Sequence, residues 1–325
     1  MMTDVKMSDD GRSSGTPPHN PVLLRETVEA LVVRPDATLV DGTLGAGGHA
    51  AALLKALGPE GRLFGIDRDP DALTLAGERL APFGEAFTPL YGRHEDLTTL
   101  LRKAGVFACD GFLFDLGVSS MQLDQAERGF SFRQDAYLDM RMDPTRGESA
   151  ADWLAGIEEK ELRRAIYHWG EEKMSGAIAR AIVREREKRP LTRTVQLAEL
   201  IERVAGPAAR RYRIHPATRT FQAIRIAVNQ EIEGLTGLVN DAVSMLRRGG
   251  RLAVISYHSL EDRAIKHAIR ALAHRCTCPP KLPVCGCGRE NHVRLVTTRP
   301  VRPTDAEIDR NPRARSARLR IAERL

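Results

Sequence analysis

The sequence predicts an α/β fold, a doubly wound and mostly parallel sheet with a helical domain inserted after its fourth strand. Three observations predict it. The apolar run Ala37 to Val40 enters Asp41-Gly-Thr-Leu-Gly-Ala-Gly-Gly-His49 and then the helix-like stretch Ala50 to Leu57, a strand, a glycine turn and a helix start. Further apolar runs ending in an acid or a glycine follow at α/β spacing. Between about Gln125 and Tyr212 the alternation stops, and only helical periodicity remains.

Residues 1 to 18 are polar, contain Gly, Ser and Pro, and carry no apolar period, so they read as a disordered start in which Met7 is a second candidate initiator. They do not form a signal peptide. The glycine loop comes next. Its glycines let a ligand approach the backbone, and the helix behind it presents unpaired N–H groups. Gly45-x-Gly47-x-x-Ala50 loosely matches a dinucleotide pattern, but Asp41 beside it would repel a pyrophosphate and attract a sulfonium or ammonium group. The ligand expected from these charges is S-adenosylmethionine, not NAD.

Gly61-Arg-Leu-Phe-Gly-Ile-Asp67 is the second strand. Its terminal acid suits two ribose hydroxyls or, more simply, a helix cap; Asp69 and Pro70 then supply a cap and first position for the next helix. Phe87 to Tyr91 and Gly111 to Asp115 are the third and fourth strands. Ligands bind outside the carboxyl ends of parallel strands, which places His94 near an adenine, unless it is a plain loop histidine, and Asp115 near a methyl group.

Helices are expected over 150–154, 158–167, 173–188 and 194–205, then one long helix from Thr220 to Leu246. A strand from Arg251 to Tyr257 follows, then a helix from about Ser259 with Glu261 and Asp262 in its first turn, where the helix dipole favours acids. Val293 to Thr298 and Ala317 to Ala322 alternate like paired antiparallel strands that close the sheet.

Several stretches are long and unusual: His19-Asn-Pro-Val-Leu-Leu24, Asp41 to His49, Asp115-Leu-Gly-Val-Ser-Ser120, Glu127 to Phe132, Leu138 to Pro144, His215 to Gln222, Ser256-Tyr-His-Ser-Leu-Glu-Asp262 and Asn311 to Ser316. Together they resemble the ribosomal RNA small subunit methyltransferase H family, also called MraW, from His19 to Leu325. The resemblance implies a Rossmann-like class I S-adenosylmethionine-dependent methyltransferase built from 19–124 and 213–325, with 125–212 as an inserted helical substrate-recognition domain. It implies methyl transfer to the exocyclic N4 of a cytidine in the decoding region of 16S ribosomal RNA, with the small ribosomal subunit as partner. Carried over by motif, Gly47, Gly48, His49, Asp67, His94, Asp115 and Gln122 would hold the cofactor. At His94 some members carry an aromatic such as Phe.

An exocyclic cytosine nitrogen is a poor nucleophile, so a site must align it with the methyl group and accept its protons. Asp115, Ser119 and Ser120 are the catalytic candidates, with Asp139 and Asp143 behind them; a capping turn accounts equally for the two serines. The loop of Asn, Asp or Ser followed by Pro-Pro-aromatic, expected of a DNA amino-methyltransferase, is absent. A non-catalytic RNA-binding factor would not need Asp41, Asp67 and Asp115 together.

The 325 residues carry a formal net charge of +6 and are 42% hydrophobic, enough for one large α/β core and a smaller domain. No apolar run approaches the roughly 20 residues that span a bilayer, so a cytoplasmic protein is expected. Arg210, Arg211, Arg213 and Arg219 crowd the return from the insertion, among Arg203 and Arg225, as RNA phosphate contacts require. Phe130, Phe132 and Tyr257 are candidate stacking surfaces for an extruded base, or core. Cys276, Cys278, Cys285 and Cys287 form two C-x-C pairs that suit either tetrahedral zinc or a reduced, metal-free loop. Cys109 reads as a plain thiol, and the oligomeric state is open, a homodimer included.

Overall fold

The computed structural model describes residues 21–207, 214–273 and 291–325. The N-terminal segment, Arg210, Arg211, Arg213 and the four paired cysteines lie outside the described residues. The chain runs α1 (Leu24–Leu31), β1 (Thr38–Asp41), α2 (Gly48–Ala56), β2 (Arg62–Asp67), α3 (Pro70–Leu80), β3 (Phe87–Tyr91), α4 (Leu97–Lys103) and β4 (Cys109–Asp115). Then come α5 (Ser120–Asp124), α6 (Ala150–Gly156), α7 (Glu159–Gly170), α8 (Ser175–Arg186), α9 (Thr194–Ala205), α10 (Ala217–Asn229) and α11 (Leu235–Met245). The last elements are β5 (Leu246–Ser256), α12 (Ser259–Leu272), β6 (Val293–Leu295), α13 (Asp305–Arg310) and β7 (Arg318–Arg324).

The seven strands form one sheet in the order β3-β2-β1-β4-β5-β7-β6. Strands β1 to β5 are parallel, while β7 lies antiparallel to both β5 and β6. The expected C-terminal strand pair is therefore present, with Val293 opposite Arg324. Strand β4 is a buried apolar run because helices cover both faces of the sheet. Phe112 and Phe114 face a core built with α4, α11 and α12, while Leu113 faces a second core built with α1, α2 and α3.

A third core belongs to the helices. Leu154, Leu162, Ile166, Ile178, Ile182, Leu197 and Ile201 meet there at the spacing read from the sequence. Phe221 and Ile224 of α10 join it, so the helical layer takes in residues beyond Tyr212. Phe130 is buried in this core, and Phe132 packs on Phe221 and His215 at 4.8 and 4.5 Å, so both rings are packing rather than exposed platforms.

The long helix expected from Thr220 to Leu246 is instead two helices. Chain reversal begins at Gln230, which is left-handed with φ 52°. Asn229 drives the break: its amide donates to Met140 O at 2.7 Å and its carbonyl accepts from Met142 N at 2.7 Å. Glu231 then turns back onto Arg225. The bonds of Asn229 to Met140 and Met142 reach a segment distant in sequence, and local helix propensity gives no sign of them.

Asp69 joins the two layers. It caps α3 through Asp71 N, accepts from Gln122 Nε2 at 2.9 Å, and pairs with Arg128 Nη2 at 2.8 Å while fully buried. The described residues contain no helix long and apolar enough to cross a membrane.

Removing one partner of a buried ion pair leaves an uncompensated charge. Arg128→Ala should therefore lower the unfolding free energy by about 3 to 5 kcal/mol in urea titrations. The double change Arg128→Met with Asp69→Asn should recover most of that loss.

Candidate active site

A crevice of about 650 Å³ opens at the carboxyl ends of the parallel strands, between the sheet and the helical layer. Its volume is that of a small-molecule site. The glycine loop forms one wall. Gly47 is left-handed, with φ 73°, where it caps α2, and a Cβ on Gly42 would fall 2.1 Å from the Phe114 ring. The loop thus depends on glycine for both its turn and its close approach to the sheet.

Asp67 stands at the end of β2. Its Oδ2 accepts from Gly45 N at 2.7 Å and its Oδ1 from Asp69 N at 2.9 Å, so the carboxylate that faces the crevice also fastens the loop. His94 lies in the crevice wall with a side chain only 13% exposed, and burial pushes its pKa down to about 4. It is a neutral ring in the wall and not a surface loop histidine.

Of the sequence-predicted residues, Gly48, His49, Asp67, His94, Asp115, Ser119, Ser120 and Gln122 line the cavity. Gly47 and Asp41 do not. Asp41 lies behind the loop, 1% exposed, accepting from Thr43 N at 3.1 Å. Ser119 Oγ caps α5 by accepting from Gln122 N, and Gln122 returns the bond to Ser119 N, so the capping reading describes Ser119. With its amide nitrogen on Asp69, Gln122 is committed at both ends. Arg219 is exposed on α10, while the part-buried Arg225 is paired with Glu231 at 2.8 and 2.7 Å and leaves the group of candidate phosphate contacts.

Asp115 gathers groups that sequence reasoning did not connect. Tyr257 Oη donates to its Oδ1 at 2.8 Å, which makes Tyr257 a partner of the carboxylate rather than a stacking platform. The Asp115 backbone N–H donates to Thr43 Oγ1 at 2.5 Å. His49 Nε2 lies 2.9 Å from the Val22 carbonyl, which can only accept, so Nε2 carries the hydrogen. Burial lowers the His49 pKa and keeps the ring neutral, leaving the Nδ1 lone pair 3.6 Å from Asp115 Oδ2.

Two acceptors thus face one another across the crevice wall. Burial raises both Asp115 and Asp41 to about 7, and among the described residues neither has an Arg or Lys partner. A cationic donor placed between Asp115 and His49 would satisfy both and supply the missing charge.

A model of the MraW methylase family matches residues 16–325. The chain belongs to this family. Over 310 residues it is 54% identical to the ribosomal RNA small subunit methyltransferase H of Trichlorobacter lovleyi, covering 94% of this chain and 98% of that protein. The proteins of the same name from Symbiobacterium thermophilum and Geobacter sulfurreducens are each 51% identical over 307 residues, covering 94% of this chain and 96% and 99% of theirs. As a methylase, this protein must place donor and acceptor in one crevice, and the far end of the cavity is lined by Gln222, Arg225, Glu231, Tyr257, His258 and Glu261. The stretch from Ser256 to Asp262 stood out in the sequence, where its helix-start acids and a stacking or core role for Tyr257 were the only physical readings.

A carboxyl whose folded pKa is raised binds its proton more tightly folded than unfolded, so it costs stability as pH rises from about 4 to 7. Asp115→Asn removes that cost and lets the new amide donate to His49 Nδ1. In thermal melts without ligand, the variant should gain on the wild type progressively between pH 4 and 7, reaching up to about 4 kcal/mol above pH 7.

Proposed function

We propose that the protein transfers a methyl group from S-adenosylmethionine to the exocyclic N4 of a cytidine in the decoding region of 16S ribosomal RNA, acting in the cytoplasm on the small ribosomal subunit. The observation that carries the donor is the part-buried Asp115 beside the His49 lone pair, two acceptors with no cationic partner among the described residues, at the end of the fourth strand. The ribosomal acceptor rests on the names of relatives half identical to this chain, and the nitrogen target on the fit of an amine to a crevice rich in acceptors.

The residues present fit the donor. Asp67 would take the ribose hydroxyls, His94 would pack near the adenine, and Gly48, with the loop N–H groups, would lie against the amino-acid end. Asp115 and His49 would face its ammonium, with Asp41 adding negative potential from behind the loop. Bound S-adenosylmethionine supplies an electrophilic methyl group.

The chain itself does the rest. Tyr257 holds the Asp115 carboxylate by donating to its Oδ1, while Thr43 Oγ1 fixes the Asp115 backbone by accepting from its N–H. A nitrogen that gains a methyl must lose a proton, and Asp115, kept ionised by the bound cation, is the carboxylate at this strand end that would take it. Arg219, with Arg210, Arg211 and Arg213 nearby in sequence, would neutralise phosphates around the target.

Incubation with labelled S-adenosylmethionine should place label in N4-methylcytidine from small subunits that lack the modification; label in another nucleoside, in DNA alone or nowhere would overturn the reading. Because a cation is favoured by ionised carboxylates, affinity for the donor should fall as pH drops through about 7. Calorimetry near pH 7 in buffers of different ionisation enthalpy should show proton release on binding. Asp41→Asn should weaken the donor at least tenfold while leaving the fold intact; unchanged affinity would remove Asp41 from the site.

A further inference from the structure

The acceptor end of the crevice holds a second buried carboxylate with a different character from Asp115. Glu261 sits in the first turn of α12 and is 1% exposed, yet it lines the cavity. Its Oε2 is fixed by backbone N–H groups, at 3.0 Å from Tyr257 and 3.4 Å from His258. His258 Nδ1 accepts from Glu261 N, so in the neutral ring Nε2 carries the hydrogen, and that nitrogen lies 3.1 Å from Glu261 Oε1.

These contacts leave Oε1 with acceptor capacity to spare, since a carboxylate oxygen takes two hydrogens. The direction in which it faces matters. A Cβ built on Gly117 would lie 4.0 Å from Glu261 Oε1 and 3.5 Å from the Tyr257 ring. Gly117 belongs to the loop leaving β4, and Tyr257 is the residue that holds Asp115. Oε1 of Glu261 therefore lies beside the Gly117 loop and the Tyr257 ring, in the lining of the same cavity as Asp115.

The neighbouring acid does not compete for this role. Glu231 has both oxygens engaged by the Arg225 guanidinium. His258 and the nearby Arg225 charge hold Glu261 below the usual glutamate range, so it stays ionised at neutral pH, whereas burial holds Asp115 near 7. The crevice thus has a carboxylate poised to exchange a proton and one that only accepts hydrogen bonds.

We propose that Glu261 is the specificity-determining residue for the acceptor base, its Oε1 accepting a hydrogen from the exocyclic amine. This rests on the cytidine reading above and deepens it. An amine offers hydrogens to a fixed anion. Uridine presents a carbonyl oxygen at the same place, and a buried anion facing that oxygen repels it and leaves both acceptors unpaired. Discrimination between cytidine and uridine then comes from one charge, before any chemistry occurs.

The test compares wild type, Glu261→Gln and Glu261→Asp. Each is loaded with S-adenosylhomocysteine and offered small subunits whose target nucleotide, located by the nucleoside analysis, is cytidine or uridine. A glutamine keeps the capping bonds to the Tyr257 and His258 backbone through its carbonyl and turns its NH2 group, which only donates, toward the base, so it no longer favours the cytidine amine over the uridine oxygen. Wild type should bind the cytidine subunit about tenfold or more tightly than the uridine one. Glu261→Gln should bring that preference below threefold while binding S-adenosylhomocysteine unchanged in calorimetry. Glu261→Asp, which keeps the charge, should keep a preference for cytidine. Full wild-type discrimination in Glu261→Gln, or its loss in a folded Glu261→Asp, overturns the assignment. A wild type that methylates some other nucleoside refutes the cytidine reading itself, a result seen in the nucleoside analysis before any variant is made.

Discussion

One buried carboxylate, Asp69, holds the two walls of the crevice together. It caps α3 on the sheet side and receives Gln122 and Arg128 from the chain leaving the sheet for the helical layer. Its neighbours extend the clamp. Asp67, two residues earlier, fastens the glycine loop, and Arg68 between them donates to the Asn229 backbone carbonyl at 3.2 Å. Three consecutive residues thus tie the loop, the sheet and the helical core, and the width of the crevice follows from those bonds. A charge removed from water is tolerated only where its partners are complete, and such a site specifies one arrangement of its surroundings more sharply than apolar packing does.

In the crevice and directly behind it stand two acids without a cationic partner among the described residues. A protein of formal charge +6 has placed Asp41 and Asp115 where no guanidinium or ammonium of the described residues meets them. Elsewhere in the same fold acids are well served: Asp262 has Arg318 and Arg320, and Glu323 has Arg251 and Arg294. The contrast separates structural acids from acids kept for a ligand. Raised carboxyls in a cleft cost the free protein stability, and a cationic ligand returns it, so ligand binding and folding are linked through the same groups.

Much of the fold was legible because its signals are local. The glycine loop, the Asp69-Pro70 helix start, the buried run of β4 and the helical spacings between Ala150 and Ala205 each depend on neighbours a few residues away. The helix expected to run unbroken from Thr220 failed at Asn229 because the break is made by Met140 and Met142, nearly ninety positions earlier. Residues of the site divide in the same way. The acids at strand ends were readable from strand ends alone, while the capping role of Ser119 was readable only as one of two alternatives.

By itself the sequence determined the order of the strands, the helices between Ala150 and Ala205, the position of the glycine loop and the acids at the mouths of β1, β2 and β4, since backbone propensity, capping and apolar period act over short range. Only the tertiary structure decided which polar groups share the crevice. Tyr257 reaches Asp115 across 142 positions of sequence, Asp41 falls behind the loop instead of lining it, and Arg225 is drawn inward to Glu231. Those outcomes depend on how the sheet and the helical layer pack, and a hydrogen bond between distant segments exists only once packing has brought its two ends together.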